Sequence, residues 1–141
     1  MALSREEREQ FLSEPHVAAL GVDAGDARGP LLVPIWYAYE PGGLPWILTG
    51  VDSRKMQRIR AAGHFSLLVQ RTTPTVRYVS VEGPVAEVTE AAGGLHREMA
   101  GRYLAGDALE QYAVWAEAEL GDHVVVRMRP EHWLSADMGA G

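Results

Sequence analysis

Residues Val76 to Thr89 form a long period-two run, with Val79, Val81, Gly83 and Val85 on one side. Alternation of this length describes a strand with one buried face. The Gly83-Pro84 pair interrupts it. Proline donates nothing to a ladder and glycine weakens a strand interior, so a bulge and a bend are expected there. A long strand that bends suits an antiparallel barrel better than a doubly wound sheet.

The flanking segments agree with a mainly β chain carrying helices. Ser4 to Ser13 reads as a short helix, with Ser4 as N-cap, Glu7 as its capping-box partner, and Phe11 and Leu12 docking its end. Strands are expected over His16–Val22, Leu31–Tyr39, Leu44–Thr49, His64–Gln70 and Val124–Arg129, the last stopped by Pro130. Pro34 demands an edge position or a bulge in its strand. Asp52 to Ala62 reads as a helix with Met56, Ile59 and Ala62 inward and Gly63 ending it. Two further helices are expected over Gly94–Leu104 and Asp107–Leu120, the second with an Asp107/Glu110 capping box and Gly121 at its end.

The 141 residues suffice for one domain, 1–141, with a core that needs no staples. The absence of cysteine excludes disulfides, thiolate metal sites and cysteine nucleophiles. The charged N-terminus lacks the apolar run of a signal peptide, and no stretch has the length of a membrane span, so the expected location is the cytoplasm, away from membranes. A net charge of −6 argues against a nucleic-acid partner. That average hides an acid-free island. Between Ser53 and Val81 stand Arg54, Lys55, Arg58, Arg60, Arg71 and Arg77, and Lys55 is the only lysine in the chain. Such an island suits a small anionic ligand; the plainer alternative is a solvated positive face.

The richest constellation is the strand end Trp46-Ile47-Leu48-Thr49 running through Gly50 into Asp52-Ser53-Arg54-Lys55 at a helix start. Unpaired N–H groups and the positive dipole end there suit a phosphate, Arg54 adds a fork, Lys55 a point charge, and Ser53 and Thr49 hydroxyls. Arg58, one turn on, can reach the same anion. The alternative is a capped helix with exposed basic residues. Pro34-Ile35-Trp36-Tyr37-Ala38-Tyr39 is an aromatic strand, core or dimer interface by ordinary usage, but also a flat slot for a ring beside such a phosphate. Arg77-Tyr78 could close that slot. The glycines form neither a Walker nor a dinucleotide fingerprint. The five histidines lack zinc-type spacing and read as surface or core residues, with no metal expected. Tyr103, Tyr112 and Trp115 read as core ahead of pocket wall.

Val33-Pro34-Ile35-Trp36-Tyr37, Ile47-Leu48-Thr49, Ser53-Arg54-Lys55-Met56-Gln57-Arg58-Ile59-Arg60, Phe65-Ser66-Leu67-Leu68-Val69 and Val81-Glu82-Gly83 follow one another in an order that resembles the pyridoxamine 5′-phosphate oxidase-like split barrels. Within that family the chain is similar to the short actinobacterial members that use coenzyme F420, a deazaflavin. The ending Val124 to Trp133 shares the likeness. The resemblance implies a six-stranded antiparallel split β-barrel of the FMN-binding type, forming a homodimer with cofactors at the subunit interface. It assigns Ser53, Arg54 and Lys55 to the cofactor phosphate with Arg58 assisting, Thr49 and Gly50 to the ribityl side, Pro34, Ile35 and Trp36 to the ring border, and Arg77 and Tyr78 to further contacts.

Two departures bear on the activity. Pyridoxamine phosphate oxidases carry a longer C-terminal portion for the pyridoxal substrate, and they place a flavin-binding Gln where this chain has Tyr78. Both favour an oxidoreductase that uses reduced F420 to pass hydride from its C5 to a small unsaturated or conjugated substrate. An FMN-dependent member of the family is the alternative, and a non-catalytic cofactor- or haem-binding barrel is the alternative of another class. No catalytic acid is assigned; Tyr78 is a proton-donor candidate by location only, with solvent as its equal.

Overall fold

The computed structural model describes residues 1–139. Helix α1 spans Arg5–Ser13, and strands β1 to β4 span Ala18–Val22, Leu31–Ile35, Tyr37–Ala38 and Trp46–Gly50. Then come α2 (Arg54–Ala62), β5 (His64–Arg71), β6 (Arg77–Glu90), α3 (Leu95–Gly101), α4 (Gly106–Glu119), β7 (His123–Met128) and β8 (His132–Asp137). The pairings are antiparallel, in the order β2-β1-β5-β6-β7-β4-β3, with β8 added against β6. The two ends of that order, β2 and β3, are separated in sequence by Trp36 alone, so the sheet has to curl back on itself. This is a split barrel with eight strands rather than six.

The extra strands have separate causes. The expected strand Leu31–Tyr39 breaks at Trp36, where the chain leaves one half of the sheet for the other. The expected stop at Pro130 is a corner, after which β8 returns along β6 from Glu82 to Arg77. Pro34 lies on β2, the edge of the sheet, where its missing N–H costs nothing.

Strand β6 is the hinge of the barrel. Its first half pairs with β5 and β8, its second half with β7, and the register slips between Val85 and Glu87, next to the expected Gly83-Pro84 bend. Val79 and Val81 point inward with Phe65, Leu67 and Val69 of β5, all fully buried. Phe11 and Leu12 of α1 and Met56 and Ile59 of α2 close the two ends of this core.

Local caps explain the first two helices. The Ser4 hydroxyl accepts from the Glu7 amide at 3.1 Å while the Glu7 carboxylate accepts from the Ser4 amide at 2.9 Å. Gly63 ends α2 at φ 76°, in the left-handed region that glycine enters without strain. The expected capping box of α4 does not form. Its N-cap is Ala105 without a side-chain bond, and Glu110 instead receives both Arg97 guanidinium nitrogens at 2.6 and 2.9 Å. Gly121 does not terminate the helix in a left-handed turn either, since the C-cap is Leu120 in extended conformation.

The break at Trp36 is bridged from the turn after α3. The Tyr103 hydroxyl accepts from the Tyr37 amide at 3.1 Å and faces the carbonyls of His16 at 2.8 Å and Tyr37 at 3.0 Å. Tyr103→Phe strands that amide inside the protein. The expected loss is about 1–3 kcal/mol, read as a lower chemical-denaturation midpoint with an unchanged slope.

Candidate functional site

The site forms where the barrel changes sheets. Strand β4 ends at Thr49-Gly50, and a turn in which the Ser53 amide donates to the Gly50 carbonyl at 3.0 Å leads into α2. Ser53, not Asp52, is the N-cap: its hydroxyl accepts from the Met56 amide at 3.1 Å and shares a 2.8 Å hydrogen bond with the buried Thr49 hydroxyl. The Arg54 and Lys55 amides, first in the helix, have no acceptor among the described residues. Helix start, dipole and donors therefore face one way.

A cleft of about 450 Å³ opens beside this helix start. It gathers Pro34, Ile35, Trp36, Thr49, Gly50 and Lys55, six residues singled out in the sequence. For Tyr112 and Trp115 the pocket-wall alternative holds over the core. Both residues, on α4, line the cleft, Trp115 with half its surface exposed. The indole of Trp36 stacks on Tyr103, centroids 4.8 Å apart at 10°, and leans on Tyr112 at 5.2 Å. The aromatic strand thus supplies a flat wall held from behind.

His96 of α3 and His123 of β7 line the cleft as well, their rings 4.7 Å apart and edge to face at 74°. Burial, and then the charge of His123, push the His96 imidazole down from its ordinary value. The two positions stand 27 apart in sequence, and only the tertiary fold brings their rings together. The same two rings and Leu120 border a second cavity of about 640 Å³, lined also by Gly93, Gly94 and Glu117.

The basic island resolves into committed and uncommitted charges. Arg58 donates to the Asp23 carbonyl at 3.3 Å, and Arg60 to the Val51 carbonyl at 2.9 Å. Arg71 holds the Thr75 hydroxyl at 2.9 Å, and Arg77 the Asp137 carboxylate at 2.8 Å. Arg54 and Lys55 make no ion pair or side-chain hydrogen bond with any described residue. Arg58 therefore stands apart from the grip, occupied by the loop after β1. Arg77 and Tyr78 lie on β6 between β5 and β8 and do not line the cleft of their own chain. The hydroxyl of Thr75 and the guanidinium of Arg77 hold the Asp137 carboxyl well below the usual carboxylate range. No group of three or more His, Asp or Glu among the described residues could hold a metal, and no described helix is long and apolar enough to cross a membrane.

A family profile described as pyridoxamine 5′-phosphate oxidase matches residues 4–136. The chain belongs to the pyridoxamine 5′-phosphate oxidase family. The description of that family is that of an oxidase, an oxidoreductase class. Among solved structures, a conserved hypothetical protein, Rv2991, from Mycobacterium tuberculosis is 27% identical over 97% of this chain and 86% of that one, with a TM-score of 0.74. An F420 reductase is 20% identical, covering 89% of this chain and 94% of its own, at a TM-score of 0.70. A FAD-binding protein from Mesorhizobium loti is 23% identical, covering 97% and 95%, at 0.62. The last two similarities show the pyridoxamine 5′-phosphate oxidase fold alone. No curated protein sequence matches significantly.

Proposed function

We propose that this member of the family is an oxidoreductase that binds coenzyme F420 and, with the cofactor reduced, delivers hydride to a small unsaturated or conjugated substrate. One observation carries the reading: six residues chosen for a phosphate and a ring line one cleft, with the uncommitted charge of Lys55 inside it. The donor set fits a phosphate. A Cβ on Gly50 would lie 3.7 Å from Ser53 Cβ and 3.9 Å from His123 Cε1, so the bare glycine leaves a notch between them that lets a ligand approach the backbone. Ser53, whose hydroxyl bonds that of Thr49, borders that notch; Thr49 and Lys55 line the same cleft, while Arg54 does not line it.

The deazaflavin supplies the hydride chemistry when bound. The chain supplies position and dryness. Pro34, Ile35 and Trp36 border the ring, the Trp36–Tyr103 stack fixes the angle of that border, and Tyr112 and Trp115 roof the cleft against water. F420 is preferred over FMN because Tyr78 stands where the flavin-binding members place Gln, and the likeness to an F420 reductase supports the same cofactor.

The reading includes a homodimer. Pro34, Ala19, Leu68, Ser80 and Leu134 form one row across five strands, with Leu134 and Leu68 exposed. Val17 and Pro34 belong both to this face and to the cleft, so a partner seated there borders the cofactor and can offer its own Tyr78.

The protein is expected to be colourless as purified, to sediment as a dimer, and to change the fluorescence of added F420 at about micromolar concentration. Yellow protein absorbing near about 450 nm would replace F420 by FMN. Binding of neither cofactor would sink the oxidoreductase reading and leave a barrel that holds something else.

A further inference from the structure

The phosphate grip lacks the second-turn contact expected of Arg58, which is held by the Asp23 carbonyl and packs its guanidinium against Gly25. Another side chain occupies the equivalent place. Strands β4 and β7 pair Gly50 directly with His123, whose ring forms one side of the notch at Gly50. Thr49, Lys55 and His123 line one cleft.

The ring's orientation is fixed by a neighbour. His123 Nδ1 lies 2.8 Å from the Gly121 carbonyl oxygen. A carbonyl only accepts, so Nδ1 carries the hydrogen in the neutral ring. Nε2 is then a bare acceptor, repelled by a phosphate oxygen, and becomes a donor only on protonation. Resting on the phosphate reading above, we infer that His123 is a further ligand of the cofactor phosphate, acting as the imidazolium, so that the protein takes up a proton when it takes up the phosphate.

The charged or titratable groups lining the two cavities that His123 borders are Lys55 of α2, Glu90 of β6, His96 and Arg97 of α3, Tyr112 and Glu117 of α4, and its neighbour Asp122. Arg97 is neutralised by Glu110. Glu90, Glu117 and Asp122 thus line the larger cavity with His123, and Lys55 lines the cleft with it. His96, pushed down by its burial and by His123, resists a second proton and stays the neutral member of the pair. The sign follows from linkage: a ligand that binds only the protonated ring binds more tightly as pH falls through the range where imidazoles gain a proton.

The test titrates F420 and its phosphate-free deazariboflavin core into wild type, His123→Gln, His123→Ala and Lys55→Ala. Fluorescence gives the affinity, and calorimetry in two buffers of different ionisation enthalpy counts protons. Wild type should bind F420 about tenfold more weakly at about pH 8 than at about pH 6, with proton uptake between them, and the core should show neither effect. His123→Gln keeps a donor that does not titrate, so its affinity should be flat with pH and free of proton uptake. His123→Ala should be weak throughout. A slope and proton uptake that survive in both His123 variants, or that the core shares, overturn the inference while the cofactor reading stands. If Lys55→Ala leaves F420 affinity unchanged, the phosphate reading falls, and the inference with it; if F420 does not bind wild type, both fall.

Discussion

Gly83→Ala should cost the fold about 3 kcal/mol or more and lower the melting temperature by about 10 °C or more. The reason is a backbone crossing. A Cβ at position 83 would lie 1.8 Å from the Arg129 carbonyl oxygen and 2.9 Å from its carbon. The connection from β7 to β8 cannot retreat, because it is stapled to β6 on both sides of the glycine. Arg129 donates to the Pro84 carbonyl at 2.9 Å, and Glu131 donates to the Glu82 carbonyl at 3.0 Å. The smallest added side chain must break one of these bonds or displace the corner that launches β8. Scanning calorimetry of the variant, with Ser80→Ala on the same strand as a control, measures the effect. A loss below that of the control would mean that the crossing can open without penalty.

The second large effect concerns Lys55. Its ammonium lines the cleft with no acidic partner among the described residues, so its removal takes away charge without breaking a structural ion pair. Lys55→Ala should weaken a phosphate-bearing cofactor by about 1.5–3 kcal/mol, tenfold to a hundredfold, with little change in melting temperature. Being the only lysine, it offers a chemical check. An amine-directed reagent can modify an ε-amine here and nowhere else, and bound F420 should protect it. Equal labelling with and without saturating cofactor would remove Lys55 from the phosphate contact.

The parts of this molecule that could be read in advance are those decided within a few residues. Alternation along β5 and β6, the Ser4–Glu7 cap and Gly63 are local, and each has the expected role. The turn from β4 into α2 was legible for the same reason: strand end, turn and helix start follow directly in sequence. What escaped depends on closure of the barrel. Trp36 breaks its strand because β2 and β3 belong to opposite ends of the sheet order, and nothing in Pro34-Ile35-Trp36-Tyr37 announces that. Strand β8 buries little beyond Trp133, leaves Leu134 exposed, and so carries a weak pattern. Charge on the island looked uniform in sequence, yet four of its six members are tied to loops and strands. The histidine pair had no sequence signal, because its two members meet through the tertiary fold rather than through spacing.

Helix α4 buries only Ala116, begins without a capping side chain, and carries Glu117 and Glu119 at the end where the helix dipole disfavours them. Beneath it, β6 and β7 already form a complete hairpin, closed where the Ala91 amide donates to the His123 carbonyl at 3.0 Å. The barrel therefore does not need α4 to hold its shape. Because closure entropy grows only slowly with loop length, the stem tolerates excursions of other sizes. The segment is an interchangeable cassette: rewriting residues 106–120 should alter the Tyr112 and Trp115 wall of the cleft while the strands below keep their geometry. Diversification of such a fold, by selection or by design, has a natural starting place there.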